Sequence, residues 1–217
     1  LCAGSATAAV VFSGNASTYS WTNDQPSIGL PASGVGDIAS FKALNATASP
    51  IVATIIITPS SGICTGTQQS FTITVNPVAV IDPISNIATG TGVVVGPISL
   101  TTSVLGGESF VWSGGAAVGL PDGSGSSPIP AFTTVNPGIT PLSAVVTVIA
   151  SKGGCTGPSR DFNVTVYPIP GALAGDQNIC NGAFSSVVIT ASVPGTTFTW
   201  DVGTVTGTVT GQGSGSG

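Results

Sequence analysis

The sequence predicts an all-β protein built as a tandem array of similar units, and three observations carry that reading. Charged residues are only 5% of the 217, against about 25% in an average soluble domain, and the surface helix formers Glu, Lys and Arg are nearly absent. In their place, 31 Gly and 16 Pro punctuate runs rich in Val, Ile and Thr, the composition of short strands joined by turns. An aromatic-x-Trp motif also recurs three times at nearly constant spacing, the mark of an internal repeat.

The repeat can be followed residue by residue. Tyr19-Ser20-Trp21 returns as Phe110-Val111-Trp112 and again as Phe198-Thr199-Trp200, with the tryptophans 91 and then 88 residues apart. Ile28-Gly29-Leu30-Pro31 matches Val118-Gly119-Leu120-Pro121. Downstream an offset of 91 holds without gaps through Phe41/Phe132, Asn45/Asn136, Pro50/Pro141 and Cys64-Thr65-Gly66/Cys155-Thr156-Gly157. It ends on Phe71, Ile73, Val75 and Pro77, matched by Phe162, Val164, Val166 and Pro168. The expected units are residues 1–79, short of a complete beginning, 80–170, and 171–217, short of a complete end. The chain therefore reads as a window on something longer. The Gly213–Gly217 run aligns with Gly123-Ser124-Gly125 and reads as part of the third unit rather than as a linker.

Within each unit the elements follow from period-two alternation, the pattern of a strand with one buried face. Tyr19 and Trp21 share a face. Ile51, Ala53, Ile55 and Ile57 alternate with more polar neighbours, as do Leu142, Ala144, Val146 and Val148. Phe71, Ile73 and Val75 make a last strand, repeated by Phe162, Val164 and Val166. A unit of about 90 residues with these runs suits a seven-strand immunoglobulin-like sandwich around a central Trp. Tyr19, Trp21, Phe110, Trp112, Phe198 and Trp200 are then core candidates rather than sugar-stacking platforms. Asn76-Pro77 and Tyr167-Pro168-Ile169-Pro170 are stiff inter-unit linkers, so the array is expected to be extended. The longest apolar stretches fall far short of the roughly 20 residues that span a bilayer. The mean hydropathy of +0.53 therefore reflects buried strands and not membrane insertion.

The order of these motifs resembles the PKD-like repeats of giant Bacteroidetes surface proteins. It runs Cys2-Ala3-Gly4, Tyr19-Ser20-Trp21, a Gly/Ser-rich segment, Gly62-Ile63-Cys64-Thr65-Gly66, and Ile73-Thr74-Val75-Asn76-Pro77. The second unit departs from it, with Gly92-Val93 in place of the first Cys. The resemblance covers essentially the whole chain. It implies long extracellular arrays exported by the type IX route, acting as adhesins or filaments, including the mobile adhesins of gliding cells. Three Asn-x-Ser/Thr sequons, at Asn15, Asn45 and Asn163, read as accidental in a bacterial chain.

Four cysteines in an exported chain point to disulfides. With Cys2 at the start of a first strand and Cys64 in the loop between the last two, both lie at one pole of a sandwich. The expectation is a Cys2–Cys64 bridge, Cys155 unpaired, and Cys180 bridged to a residue outside this sequence. A metal site is disfavoured because there is no His and no close Cys pair.

The remaining chemistry is sparse. Three basic residues cannot neutralise a run of phosphates, so no nucleic-acid partner is expected. Without His, no Ser or Thr has a recognisable base, and no catalytic residue or cofactor is assigned. The acidic residues are scattered, and Asp82 and Asp176 near the junctions read as turn caps rather than calcium ligands. The expected function is a stalk or adhesive segment at the cell surface. Its expected partners are neighbouring repeats, laterally associated copies and an extracellular surface or glycan target. The alternative is a non-catalytic carbohydrate-binding or spacer module of a secreted hydrolase.

Overall fold

Where the sequence alternates with period two, the chain forms strand. The computed structural model describes residues 1–104 and 106–217. It is all-β, with no α-helix among the described residues and two 3-10 turns, Pro26–Ile28 and Ala116–Val118. The fold is a tandem array of immunoglobulin-like β-sandwich repeats.

In the first repeat, β1 (Thr18–Asn23), β2 (Ser33–Val35), β3 (Ile51–Ser61), β4 (Cys64–Thr65) and β5 (Gln69–Val75) form one sheet. β3 carries β1 and then β2 on one edge, and β4 and β5 in succession on the other. In the second repeat the strands are β6 (Ile87–Gly90), β7 (Val94–Val95), β8 (Ser109–Ser113), β9 (Gly123–Gly125), β10 (Phe132–Thr133), β11 (Leu142–Lys152), β12 (Cys155–Thr156) and β13 (Arg160–Tyr167). Their main sheet runs β6-β13-β11-β8-β9, with β6 parallel to β13. The facing layer is the β7–β10 pair, extended by the bridges Ile81↔Thr102 and Ile98↔Ile129. Registers correspond at the repeat offset: Trp21 lies opposite Ile57, and Trp112 opposite Val148.

Each of the first two repeats closes on its own apolar core. Trp21, Ile28, Leu30, Ile38, Ala53, Ile55, Ile57 and Val75 form one cluster. Phe110, Trp112, Val118, Leu120, Ile129, Val146, Val148, Phe162, Val164 and Val166 belong to another. Trp21 donates its indole N–H to the Gly36 carbonyl at 3.2 Å, and Trp112 donates to Pro121 at 3.1 Å. Each buried indole thus has the partner it needs. The ring lies flat on a glycine of the next strand. A Cβ on Gly34 would sit 2.2 Å from Trp21, and one on Gly123 2.6 Å from Trp112.

The third repeat is slighter. β14 (Ala172–Ala174) pairs with β15 (Ile189–Ala191), and β16 (Thr199–Trp200) with β17 (Gly215–Ser216). Trp200 faces Gly215 as Trp112 faces Gly123, so the Gly/Ser run occupies the place of β9. Tyr19 and Phe198 are half-buried, and Phe110, Trp21 and Trp112 are buried. Trp200 departs from the core expectation, at 42% exposed. Among the described residues no second layer covers the ring in this two-stranded hairpin.

Candidate functional site

The chain's distinctive construction is the junction between the first two repeats. Approaching it, β5 ends at Val75 and the chain continues through Asn76-Pro77 into Val78–Asp82. Pro77, Ala79 and Ile81 are buried while Val80 is exposed, so this linker alternates with one face inward, bridging to Thr102 through Ile81. Along one side it pairs with residues 101–103. Ser103 N–H donates to the Val80 carbonyl (2.9 Å) and Asp82 N–H to Thr101 (3.0 Å), while Val80 N–H donates to the Ser103 hydroxyl at 3.1 Å. On the other side Arg160 donates both Nε and Nη2 to the Ile81 carbonyl, at 3.3 and 3.2 Å. The Ala79 carbonyl lies over Gly157, where a Cβ would fall 1.8 Å from it. No side chain larger than hydrogen fits at residue 157. The linker is therefore the first segment of the second repeat's sandwich, and Ala79 and Ile81 belong to that repeat's core.

A disulfide closes this junction, but not the expected one. Cys2 is bonded to Cys155, with Cα atoms 5.4 Å apart, while Cys64 and Cys180 are free and exposed. The expected Cys2–Cys64 bridge and the unpaired Cys155 are both corrected. The cause is where Cys2 sits. It bridges in parallel to Asn76, at the end of the last strand, with Ala3 N–H donating to Asn76 at 2.9 Å. The hairpin carrying Cys64 is at the opposite pole. In the second repeat the same place, beside Tyr167, is held by Gly90 at the end of β6, not by Gly92-Val93. Cys2 thus takes the place that Gly90 holds at the end of β6, not the start of a first strand. The pole assignment inverts, and Cys2 meets the β11–β12 hairpin of the next repeat. Cys155 is 1% exposed, and Gly153 at that hairpin's tip faces the Asn76 side chain.

Cys180 occupies the same kind of turn as Cys2. Ala183 N–H donates to the Cys180 carbonyl (3.0 Å) as Ser5 donates to Cys2 (3.1 Å). Cys64 occupies the same hairpin position as Cys155, with Ser61↔Cys64 matching Lys152↔Cys155.

The other candidates are structural in their contacts. The carboxylates of Asp24, Asp37 and Asp122 accept backbone N–H groups of Thr54, Phe12 and Gly114 at 2.7–2.9 Å. Asp82 accepts from the Thr101 hydroxyl at 2.6 Å. Among the described residues no three His, Cys, Asp or Glu side chains gather as a metal-binding group. Asn45, in one sequon, donates to the Ser49 and Val75 carbonyls (2.8 and 2.7 Å). Its repeat partner Asn136 donates to Thr140 and Val166 (2.9 and 2.7 Å). Nothing in the sequence pattern marked this paired loop clamp except the matched Asn itself.

No family model matches the chain, and no curated protein does. Solved structures resemble it weakly. Mouse cadherin-23 EC22-24 matches at 9% identity and a TM-score of 0.36, over 70% of this chain and 54% of that one. Human CDH23 EC21-23 matches at 10% and 0.37, over 87% and 74%. The protocadherin gammaB7 EC3-6 cis-dimer structure matches at 11% and 0.37, over 90% and 54%. The chain thus spans about half the length of the mouse fragment. At these scores the likeness adds nothing to what the strands themselves show.

Proposed function

We propose that this chain is a structural and adhesive segment of a large extracellular surface protein or filament, a stalk that serves attachment or gliding in a Bacteroidetes-type cell. Its repeats follow the expected divisions 1–79, 80–170 and 171–217, with the first boundary set back to Pro77 because Ala79 packs in the second repeat's core. The observation that carries the reading is the Cys2–Cys155 bond across the junction. A covalent clasp between successive sandwiches resists their separation, which a load-bearing stalk requires and a freely jointed spacer does not. Disulfides persist in oxidising, extracellular surroundings. The scarcity of charge and the apolar side chains on the outer sheet faces, Val52 and Ile56 on β3 and Val111 and Val145 on β8 and β11, support lateral association of arrays.

Antibodies against the segment should decorate projections on intact cells in electron micrographs, and deleting the gene should remove both projections and attachment. A deletion strain that keeps its projections and adheres normally would refute the stalk reading. Recombinant chains that stay monomeric at high concentration would refute lateral association alone.

A further inference from the structure

The clasp at the first junction is made of two shapes, and each shape recurs once more in the chain with its sulfur. One half is a tight turn. In Cys2-Ala3-Gly4-Ser5 the Ser5 N–H returns to the Cys2 carbonyl at 3.1 Å and Gly4 takes φ +89°. In Cys180-Asn181-Gly182-Ala183 the Ala183 N–H returns to the Cys180 carbonyl at 3.0 Å and Gly182 takes φ +87°. Glycine enters that left-handed third position without strain.

The other half is a hairpin. Lys152 pairs with Cys155, and the Gly157 N–H reaches the Ala150 carbonyl at 2.8 Å. Ser61 pairs with Cys64, and the Gly66 N–H reaches the Pro59 carbonyl at 2.9 Å. Gly153 and Gly62 open the two hairpins at φ +56° and +59°. Ile63 replaces Gly154 at the next position without altering the register.

The second repeat separates the turn from its thiol. Gly90-Thr91-Gly92 keeps the turn's place at the end of β6, with Gly92 at φ +78°, but carries no sulfur. The turn therefore belongs to the fold, and the cysteine is an addition to it. Cys155, the cysteine of residues 80–170, is already bonded to Cys2. The second repeat thus receives a clasp on its hairpin and offers none from its turn.

We propose that Cys180 and Cys64 are complementary halves of further clasps of the Cys2–Cys155 kind. A turn cysteine bonds the hairpin cysteine of another repeat of this construction, and a second copy of this chain presents both halves. The observed bond shows why unlike halves pair. Its Cα atoms are 5.4 Å apart, within the roughly 7 Å that a bridge allows. The hairpin tip reaches that distance by seating Gly153 against Asn76, on the strand end beside the turn. Two turns, or two hairpin tips, offer each other no such seat. A small-molecule disulfide serves as the oxidant. The Cys180 thiolate attacks it and releases one small thiol; the Cys64 thiolate then attacks the Cys180 sulfur of the mixed disulfide and releases the second. One protein S–S bond forms, and the small disulfide is reduced to two thiols. The inference extends the clasp on which the proposed function rests, and its failure would leave the Cys2–Cys155 bond and that reading standing.

The test places the full 217-residue chain, its Cys2–Cys155 bond verified by peptide mapping, in a glutathione redox buffer at high protein concentration. Cys64→Ser alone and Cys180→Ser alone should each stay monomeric on non-reducing electrophoresis. Their equimolar mixture should give a 1:1 dimer joined through Cys180 and Cys64. In the parent chain that bond should exceed both symmetric ones by more than random pairing gives, and denaturant should abolish the preference. Gly182→Val forces a β-branched residue into positive φ while leaving both thiols in place, and should cut the mixed dimer severalfold. A mixture of the two serine variants that stays monomeric would overturn the proposal. So would either variant alone dimerising as readily as the mixture, or a Gly182→Val chain that pairs as the parent does.

Discussion

Removing the junction disulfide by Cys2→Ser isolates its contribution, because Cys2 is half-buried at the end of a strand and its loss leaves both cores intact. The magnitude follows from the chain the bond closes. With the first repeat folded, Cys2 is pinned beside Asn76, so unfolding the second repeat releases the segment from Asn76 to Cys155. Closing a loop of roughly 80 residues is worth about 4.5 kcal/mol in the chain-entropy relation, with about 2–4 kcal/mol usual in measured proteins. For a domain of this size about 2 kcal/mol moves the midpoint by roughly 10 °C. Calorimetry of Cys2→Ser should therefore show the second repeat melting about 10 °C or more lower. Parent protein treated with a reductant should match it, and Cys64→Ser should leave the midpoint unchanged. If Cys2→Ser melts within about 1 °C of the parent, or if Cys64→Ser falls as far, the bond does not constrain the junction as argued.

Three further outcomes follow from the cores and loops. Trp112→Ala empties a buried site and should cost about 3–5 kcal/mol, whereas Trp200→Ala, at an exposed hairpin, should cost well under half of that; urea titration compares them. Gly123→Ala drives a methyl into the Trp112 ring and should destabilise the second repeat, with a red shift in Trp emission as the ring is displaced. Asn136→Ala leaves the buried Val166 carbonyl and the more exposed Thr140 carbonyl without the donor they share and should cost about 1–3 kcal/mol. Asn136→Asp, lacking the N–H₂ group, should be no better in the same denaturation assay.

Much of the array was legible because its physics is local. Period-two runs such as Phe71-x-Ile73-x-Val75 specify strand and buried face together, and a repeated Trp keeps its role when its surroundings repeat. The Gly/Ser run was legible for the same reason: its glycine lies under Trp200 as Gly123 lies under Trp112. The disulfide was not, because pairing depends on which pole a cysteine reaches. Cys2 lies beside Asn76, at the pole away from the Cys64 hairpin, and period-two alternation carries no sign of that placement. Trp200 was misread since burial needs a second layer, and a motif does not report whether that layer is present.

The Cys2–Cys155 bond also changes what tension does. Pulled from Leu1 and from beyond Tyr167, force passes directly through the sulfur atoms and bypasses all the chain between them, a separation of 153 residues. That bypassed chain would otherwise yield about 500 Å of slack on unfolding. While the bond is intact, the entire sandwich of the first repeat and most of the second are mechanically silent, and β13 and the segments outside the clasp carry the strain. Reduction would release that length into the first two repeats, so the redox state of the surroundings sets their compliance.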